Sequence, residues 1–202
     1  FAKAVIVVNH CIEDKYADAM LSIEEALKLD PNYHRVVFIK HYLSTYDDPP
    51  TPPSWMAVEL LYFSELSKIC QNLIKRSDRT SISKAFGIGD DDIFCSWLHT
   101  LNYIRNICAH HGRLWNHIFA IQPTKYKKPS ADRIWLSENE LKTVKNSRLY
   151  YFLCTILYIL QTVNPNTKFR VHFTELLNLY PNVNVHYMGF PKNWKNNSLW
   201  NI

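Results

Sequence analysis

Glycine is scarce in this chain, with 4 residues in 202, and that disfavours a β fold built on tight two-residue hairpins, which depend on it. Paired cysteine motifs are missing. The five cysteines (Cys11, Cys70, Cys95, Cys108 and Cys154) are odd in number, widely spaced and set in apolar helical stretches. No C-x-x-C occurs, so neither a disulfide framework nor a zinc site is indicated, and a reducing compartment is expected. A long apolar run is missing too. The longest, from Leu149 to Val163, is interrupted by Thr155 and Gln161 and falls short of the ~20 residues that span a bilayer. No secretory leader is legible, and neither membrane association nor a cofactor is expected. The first residue is Phe1 rather than Met, as in a piece of a longer protein.

What is present is an ordinary globular balance: 47% hydrophobic and 20% charged residues, with aromatics at 14%. The net charge of +5 suits an acidic partner such as nucleic acid, but a solvated lysine-rich surface would give the same value.

The segments read as helices separated by proline and polar clusters. Residues 1–13 and 15–29 are expected to be helical, the second stopping at Asp30-Pro31. Its stretch from Tyr16 to Tyr33 looks like half of a tetratricopeptide repeat. A solenoid needs about three copies, so an amphipathic helix is the simpler reading. Another helix covers 33–45, and Asp47-Asp-Pro-Pro-Thr-Pro-Pro53 then breaks the chain. Ser54 is placed to cap a helix running to about Asn72, with Met56, Leu60, Phe63, Leu66 and Cys70 at helical spacing. A polar stretch from Lys75 to Thr80 precedes a brief helix ending at Gly87.

Asp90-Asp-Asp92 is a capping signal for the next helix, whose apolar face carries Phe94, Trp97, Leu98, Leu101, Ile104 and Cys108, with Gly112 as its stop. Ser137 and Glu140 match a capping box and are expected to open a long helix to about Thr162. A last helix spans 168–180, and an aromatic tail packs back on the bundle. The fold class is all-α, with irregular proline-rich and aromatic connections.

Chemistry concentrates on the helix after Asp92. At 100° per residue, His99, Asn102, Asn106 and His110 fall within about 80° of one another. Arg105 lies about 40° from Leu101, at the margin of the buried seam, where a permanent cation needs an anionic or carbonyl partner. Arg105 and His110 diverge by about 140° on an unbroken helix. They can share a phosphate only if the helix ends near Ala109, or if two copies of the segment face each other across a two-fold axis.

These residue types suit RNA cleavage by its own 2′-hydroxyl. Histidine moves a proton near neutral pH, and arginine is a forked donor for a charged phosphorane-like transition state. The nucleophile belongs to the substrate, so no metal is required. A second His110 across a dimer, or His111, would fill the remaining acid–base role, and Asn106 would orient the His110 ring. Adjacent histidines diverge by ~100°, and no carboxylate or cysteine sits at ligand spacing, so a zinc reading of His110, His111 and His117 is set aside.

The stretch from Trp97 to Asn116, containing Arg105-Asn-Ile-Cys-Ala-His-His-Gly-Arg-Leu-Trp-Asn116, resembles the signature of the Abi-like proteins of bacterial abortive infection (AbiD/AbiF-type), within the HEPN superfamily. Pro53-Ser-Trp-Met-Ala-Val-Glu59, Phe63-Ser-Glu-Leu-Ser67, and Met188-Gly-Phe-Pro191 with Trp194 support it, so the likeness covers roughly 38 to 200. The start departs from the family: its earlier helices look absent or divergent before residue 34. On this reading 1–33 is an N-terminal helical segment, part of the same domain or a truncated start, and 34–202 is an Abi-like helical domain.

The resemblance implies a HEPN-like bundle and a metal-independent, dimeric endoribonuclease used in phage defence or as a toxin held by an RNA or protein antitoxin, in the bacterial cytoplasm. The family's Arg, polar residue and His map onto Arg105, Asn106 and His110, with His111 also in the window. Asn102 and His99 are supporting or surface groups. Arg113, Trp115 and Asn116 are expected to anchor the following loop, with Arg113 a candidate RNA contact. Lys125, Lys127 and Lys128 around Tyr126 form a basic–aromatic cluster that suits an RNA backbone or a solvated loop. The rival readings are a non-catalytic RNA-binding or phage-sensing module and, more weakly, a protein-interaction scaffold.

Overall fold

The computed structural model describes residues 34–49 and 52–201. The expected helices over 1–13 and 15–29, the repeat-like stretch and the 1–33 segment lie outside them. The described residues are all-helical, without a strand. The chain divides into two compact units, Phe1–Leu66 and Ser67–Ile202.

In the first unit, α1 (His34–Thr45) ends before the proline cluster and α2 (Ser54–Leu60) begins after it. Tyr42 closes the break by donating to the Pro49 carbonyl at 2.8 Å. The α2 cap is Pro53, one residue ahead of the expected Ser54, and it has no side-chain acceptor to offer. The helix expected over 54–72 is two helices. Leu61 is extended (φ −76°, ψ 150°), and the Tyr62 amide donates to Glu65 Oε2 at 2.7 Å, which starts α3 (Phe63–Asn72) afresh. The sequence pattern tracked apolar spacing and missed this cap.

The second unit is organised around α5 (Asp91–Ala109), which packs on α4 (Arg76–Ala85) and α7 (Leu149–Val163). Asp90 caps α5 as expected, its carboxylate accepting from the amides of Asp92 and Ile93. Asp91 turns inward, buried at 3% exposure, where it is paired with Arg79 and with Arg76 (3.2 Å). About a third of the way along α5 the fully buried Trp97 indole donates to the Thr124 carbonyl at 2.8 Å and packs against Tyr126, Trp135 and Tyr158.

The capping box at Ser137 and Glu140 is present, but the helix it opens, α6 (Glu138–Thr143), is short. Val144 is extended and buried. The following Asn146 and Ser147 tether a distant loop, Asn146 donating to the Pro123 carbonyl (3.1 Å) and Ser147 accepting from the Phe119 amide (2.9 Å). Those tethers require non-helical backbone, so α7 starts only at Leu149. After α7 come α8 (Phe169–Leu179) and two single 3₁₀ turns, Val185–Met188 and Trp194–Asn196. Phe190, Trp194 and Trp200 pack on Tyr150 and Phe173, which places the aromatic tail against the helices as expected. Among the described residues four cysteines are free thiols, and Cys70 and Cys95 meet in the core at 3.8 Å. Burial pushes the Cys95 thiol up to about 12, so it packs as an apolar group. Among the described residues no helix is long and apolar enough to cross a membrane.

Burial pushes the Asp91 carboxyl up, but the hydrogen bonds from Arg79 and then Arg76 outweigh it and hold the carboxyl below its ordinary range. A depressed carboxylate stabilises the fold above its unfolded pKa of ~4 and loses that contribution as pH falls through the folded value. Asp91→Asn is therefore expected to lower the thermal midpoint by several degrees at pH 7. The gap to the parent protein narrows below pH ~4, as thermal melts across pH would measure.

Candidate functional site

The last turn of α5 decides where the expected catalytic groups point. The final helical residue is Ala109, which is one of the two arrangements that the Arg105–His110 spacing left open. His110 is the C-cap (φ −97°, ψ 21°), so its side chain leaves the chain beyond the regular helix. The stop is not made by Gly112 adopting the left-handed conformation. His111 does so instead, with φ 54°. Its amide donates to the Cys108 carbonyl at 3.0 Å and that of Gly112 to the Ile107 carbonyl at 2.7 Å, the two crossed bonds of a Schellman turn. Gly112 is needed for space: a Cβ there would lie 2.6 Å from Ile107 Cγ2 and 2.9 Å from the Ile107 carbonyl.

Arg105 is exposed at the edge of the apolar side of α5, beside Leu101 and the buried Ile104. Its guanidinium does find a carbonyl partner, donating to Asn106 Oδ1 at 3.1 Å. Arg105 and Asn106 are thus joined. Asn106 does not orient the His110 ring as expected: its side chain holds Arg105, and only its backbone carbonyl meets the His110 amide, at 3.0 Å. Among the described residues, the exposed side chains of His110, His111 and Arg113 make no hydrogen bond, which leaves their polar atoms open to a ligand. Asn102 is half-buried and His99 exposed on the same helix.

The basic–aromatic cluster does not assemble as one surface. Tyr126 is buried and hydrogen-bonded to the Gly87 carbonyl, so it offers no ring for base stacking. Lys125 donates to the Leu141 carbonyl at 2.6 Å, whereas Lys127 and Lys128 are exposed.

The loop after α5 is anchored by Trp115 and Asn116, as expected. Trp115 packs edge-on to Tyr187 and donates to the Asn184 carbonyl at 3.4 Å. Asn116, at φ 54°, accepts from Arg148 at 3.2 Å. Sequence reasoning missed Arg148, whose same nitrogen also donates to the carbonyls of His117 (3.4 Å) and Tyr187 (3.2 Å). A signal was there: Arg148 occupies the N-cap of α7, where the helix dipole opposes a cation, so the residue needed partners elsewhere. Gly189 sits against it, since a Cβ there would approach Arg148 Cβ to 2.6 Å.

Arg105, Asn106, His110, His111 and Arg113, though not Arg148, fall within a match between residues 6–116 and the family model described as Abi-like protein. The chain belongs to the Abi-like protein family. The Abi-like match begins at residue 6, so the departure expected before residue 34 is corrected, and it ends at Asn116, leaving the Met188–Trp194 segment outside it. No curated protein and no solved structure matches this Abi-like chain.

The left-handed His111 gives opposite signs for stability and function. His111→Gly removes a conformational penalty of about 1 kcal/mol and is expected to stabilise the protein by roughly that amount. Gly112→Ala is expected to destabilise it by about 1–3 kcal/mol through the clash with Ile107. Denaturant unfolding of the two variants measures both. A stabilised His111→Gly protein that has lost activity would mark this imidazole as part of the site.

Proposed function

We propose that this protein is a metal-independent endoribonuclease of the abortive-infection type, a HEPN-superfamily member close to the AbiD/AbiF group, that cleaves RNA by attack of its own 2′-hydroxyl. The observation that carries the reading is the end of α5 at Ala109. It leaves His110 at the C-cap, exposed and one turn and a residue beyond Arg105, in a stretch inside the Abi-like match.

In this reading Arg105, steadied by Asn106, donates to the non-bridging oxygens of the scissile phosphate, where negative charge grows in the transition state. His110 takes the 2′-hydroxyl proton or delivers one to the leaving 5′-oxygen. One imidazole does not serve both roles in the same step, so the partner group is His110 of a second protomer in a two-fold dimer, or His111. Asn102 supports the polar side of α5, while Arg113, Lys127 and Lys128 contact RNA phosphates. Lys125 enters only by releasing the Leu141 carbonyl. The setting is phage defence in the bacterial cytoplasm, with an RNA or protein antitoxin as the restraining partner.

A non-catalytic RNA-binding or phage-sensing module is the second reading. It is favoured by the absence, among the described residues, of any hydrogen bond linking Arg105 to His110.

Incubation with RNA in EDTA separates the two readings. The nuclease is expected to leave cyclic or 2′/3′-phosphate ends. His110→Ala should reduce the rate on the order of 10²–10⁴-fold and Arg105→Ala on the order of 10²–10³-fold. Undiminished cleavage by His110→Ala would overturn the site assignment, and salt-sensitive binding without cleavage would establish the module.

A further inference from the structure

Most of the large aromatic side chains of the second unit are buried, and two that are not meet just beyond the end of α5. Trp97, Trp135, Trp194 and Trp200 are in the core, whereas Trp115 is left 36% exposed. It meets Tyr187, 48% exposed, with ring centroids 5.5 Å apart and ring planes at 72°.

The backbone that carries these rings is fixed. The Trp115 indole donates to the Asn184 carbonyl at 3.4 Å. Asn184 in turn caps the turn Val185–Met188, which carries Tyr187, by accepting from the His186 amide at 3.0 Å. Arg148 ties the two segments together, one nitrogen donating to Asn116, next to Trp115, and to the Tyr187 carbonyl, at 3.2 Å each. The Tyr187 hydroxyl, by contrast, makes no hydrogen bond among the described residues.

Charge selects what such a pair would meet. Trp115 and Tyr187 stand in two segments, 93–131 and 176–202, which hold seven lysines and arginines and no Asp or Glu. An apolar peptide would gain from the rings but not from charge of one sign. A nucleic-acid strand uses both, its phosphates attracted by the cations and its bases by the rings. In a duplex the bases are stacked on one another, so a base that lies on a protein ring must be unpaired.

We infer that Trp115 and Tyr187 form a stacking platform for one unpaired base of single-stranded RNA, Tyr187 supplying the open face and Trp115 the wall at its edge. The inference rests on the proposed RNA-cleaving reading and adds to it a preference for unpaired substrate. Arg105 and Trp115 border the same groove. Trp115 is five residues beyond His110, so their Cα atoms lie at most ~18 Å apart. A strand with its scissile phosphate on Arg105 thus passes the rings within a short run of nucleotides.

Fluorescence anisotropy of fluorescein-labelled strands tests the platform. The strands carry 2′-O-methyl groups, which block the nucleophile, so the unaltered protein binds without cutting. Three probes of equal length are compared: a single strand of mixed sequence, its duplex and an abasic strand. Tyr187→Leu is expected to weaken the single strand about 5-fold or more, the scale of one lost base–aromatic stack. Tyr187→Phe, which keeps the ring, should hold the parent affinity, and the abasic strand should bind both variants and the parent alike. An unchanged affinity in Tyr187→Leu, or an equal loss on the abasic strand, would overturn the platform and leave the rings to a protein contact. A duplex bound as tightly as the single strand would overturn it too. Base-dependent binding without cleavage of unblocked RNA would remove the nuclease reading and leave the platform standing. Cleavage of unblocked RNA by a Tyr187→Leu protein with undiminished binding would do the reverse.

Discussion

Trp97 fixes where α5 lies, and the rest of the second unit is arranged by that choice. Its indole has no exposed surface, and its ring N–H has a backbone carbonyl partner at Thr124, so a large apolar group is buried without stranding a donor. Trp135 and Tyr126 come from the loop after α5, Tyr158 from α7, and all three pack on the same rings. Tyr158 and Tyr126 then reach the Gly87 carbonyl with their hydroxyls, together with Ser130. The Gly87 turn before α5, the loop after it and α7 therefore meet through one indole. Rotating α5 by a residue would replace Trp97 with Ser96 or Leu98 and leave the Thr124 carbonyl without its buried donor.

With that part of α5 fixed, its C-terminal end is free to serve another purpose, and the backbone there departs from the cheapest solution. A glycine at the left-handed position would have satisfied the same crossed hydrogen bonds, and Gly112 stands one residue too late to do so. Two imidazoles are placed in succession instead, one at the cap and one in a strained backbone conformation. The strain at His111 is carried by the turn that its backbone closes, since its amide and that of Gly112 make the crossed bonds.

The legibility of this chain follows the reach of each signal. Local capping was legible: Asp90 and the Ser137–Glu140 box are where the sequence placed them, because a cap depends on residues within one turn. Helix lengths were not, because the stops at Leu61 and Val144 are made by bonds that periodicity does not report, the second through distant Pro123 and Phe119. The divergence of Arg105 and His110 was legible as a geometric problem, and a helix end at Ala109 was among the alternatives. The choice of His111 over Gly112 for the left-handed residue was not, since it rests on the crowding of Gly112 against Ile107. Cys108 was counted with the apolar face of α5 and is exposed, because it lies in the last turn, beyond the part of the helix that α7 covers at Ile104. The partners of Arg148 were not legible, for a related reason: they lie more than thirty residues away on either side.

The electrostatics of the α5 terminus close the argument. The C-terminal end of a helix carries partial negative charge, so an anion brought there is disfavoured, the reverse of the familiar N-terminal phosphate site. Two features of this turn offset that repulsion. The carbonyls of Asn106, Ile107 and Cys108 all accept hydrogen bonds, from His110, Gly112 and His111, so their lone pairs are directed into the turn. The stretch from His99 to Asn116 also contains Arg105 and Arg113 and no carboxylate, so the side-chain charge at this end is wholly positive. The crossed bonds are a common way for a helix to end, so it is the charge of the side chains that sets this terminus apart. The same short segment leaves an imidazole at the cap, ties its last carbonyls into the turn and carries only positive side-chain charge.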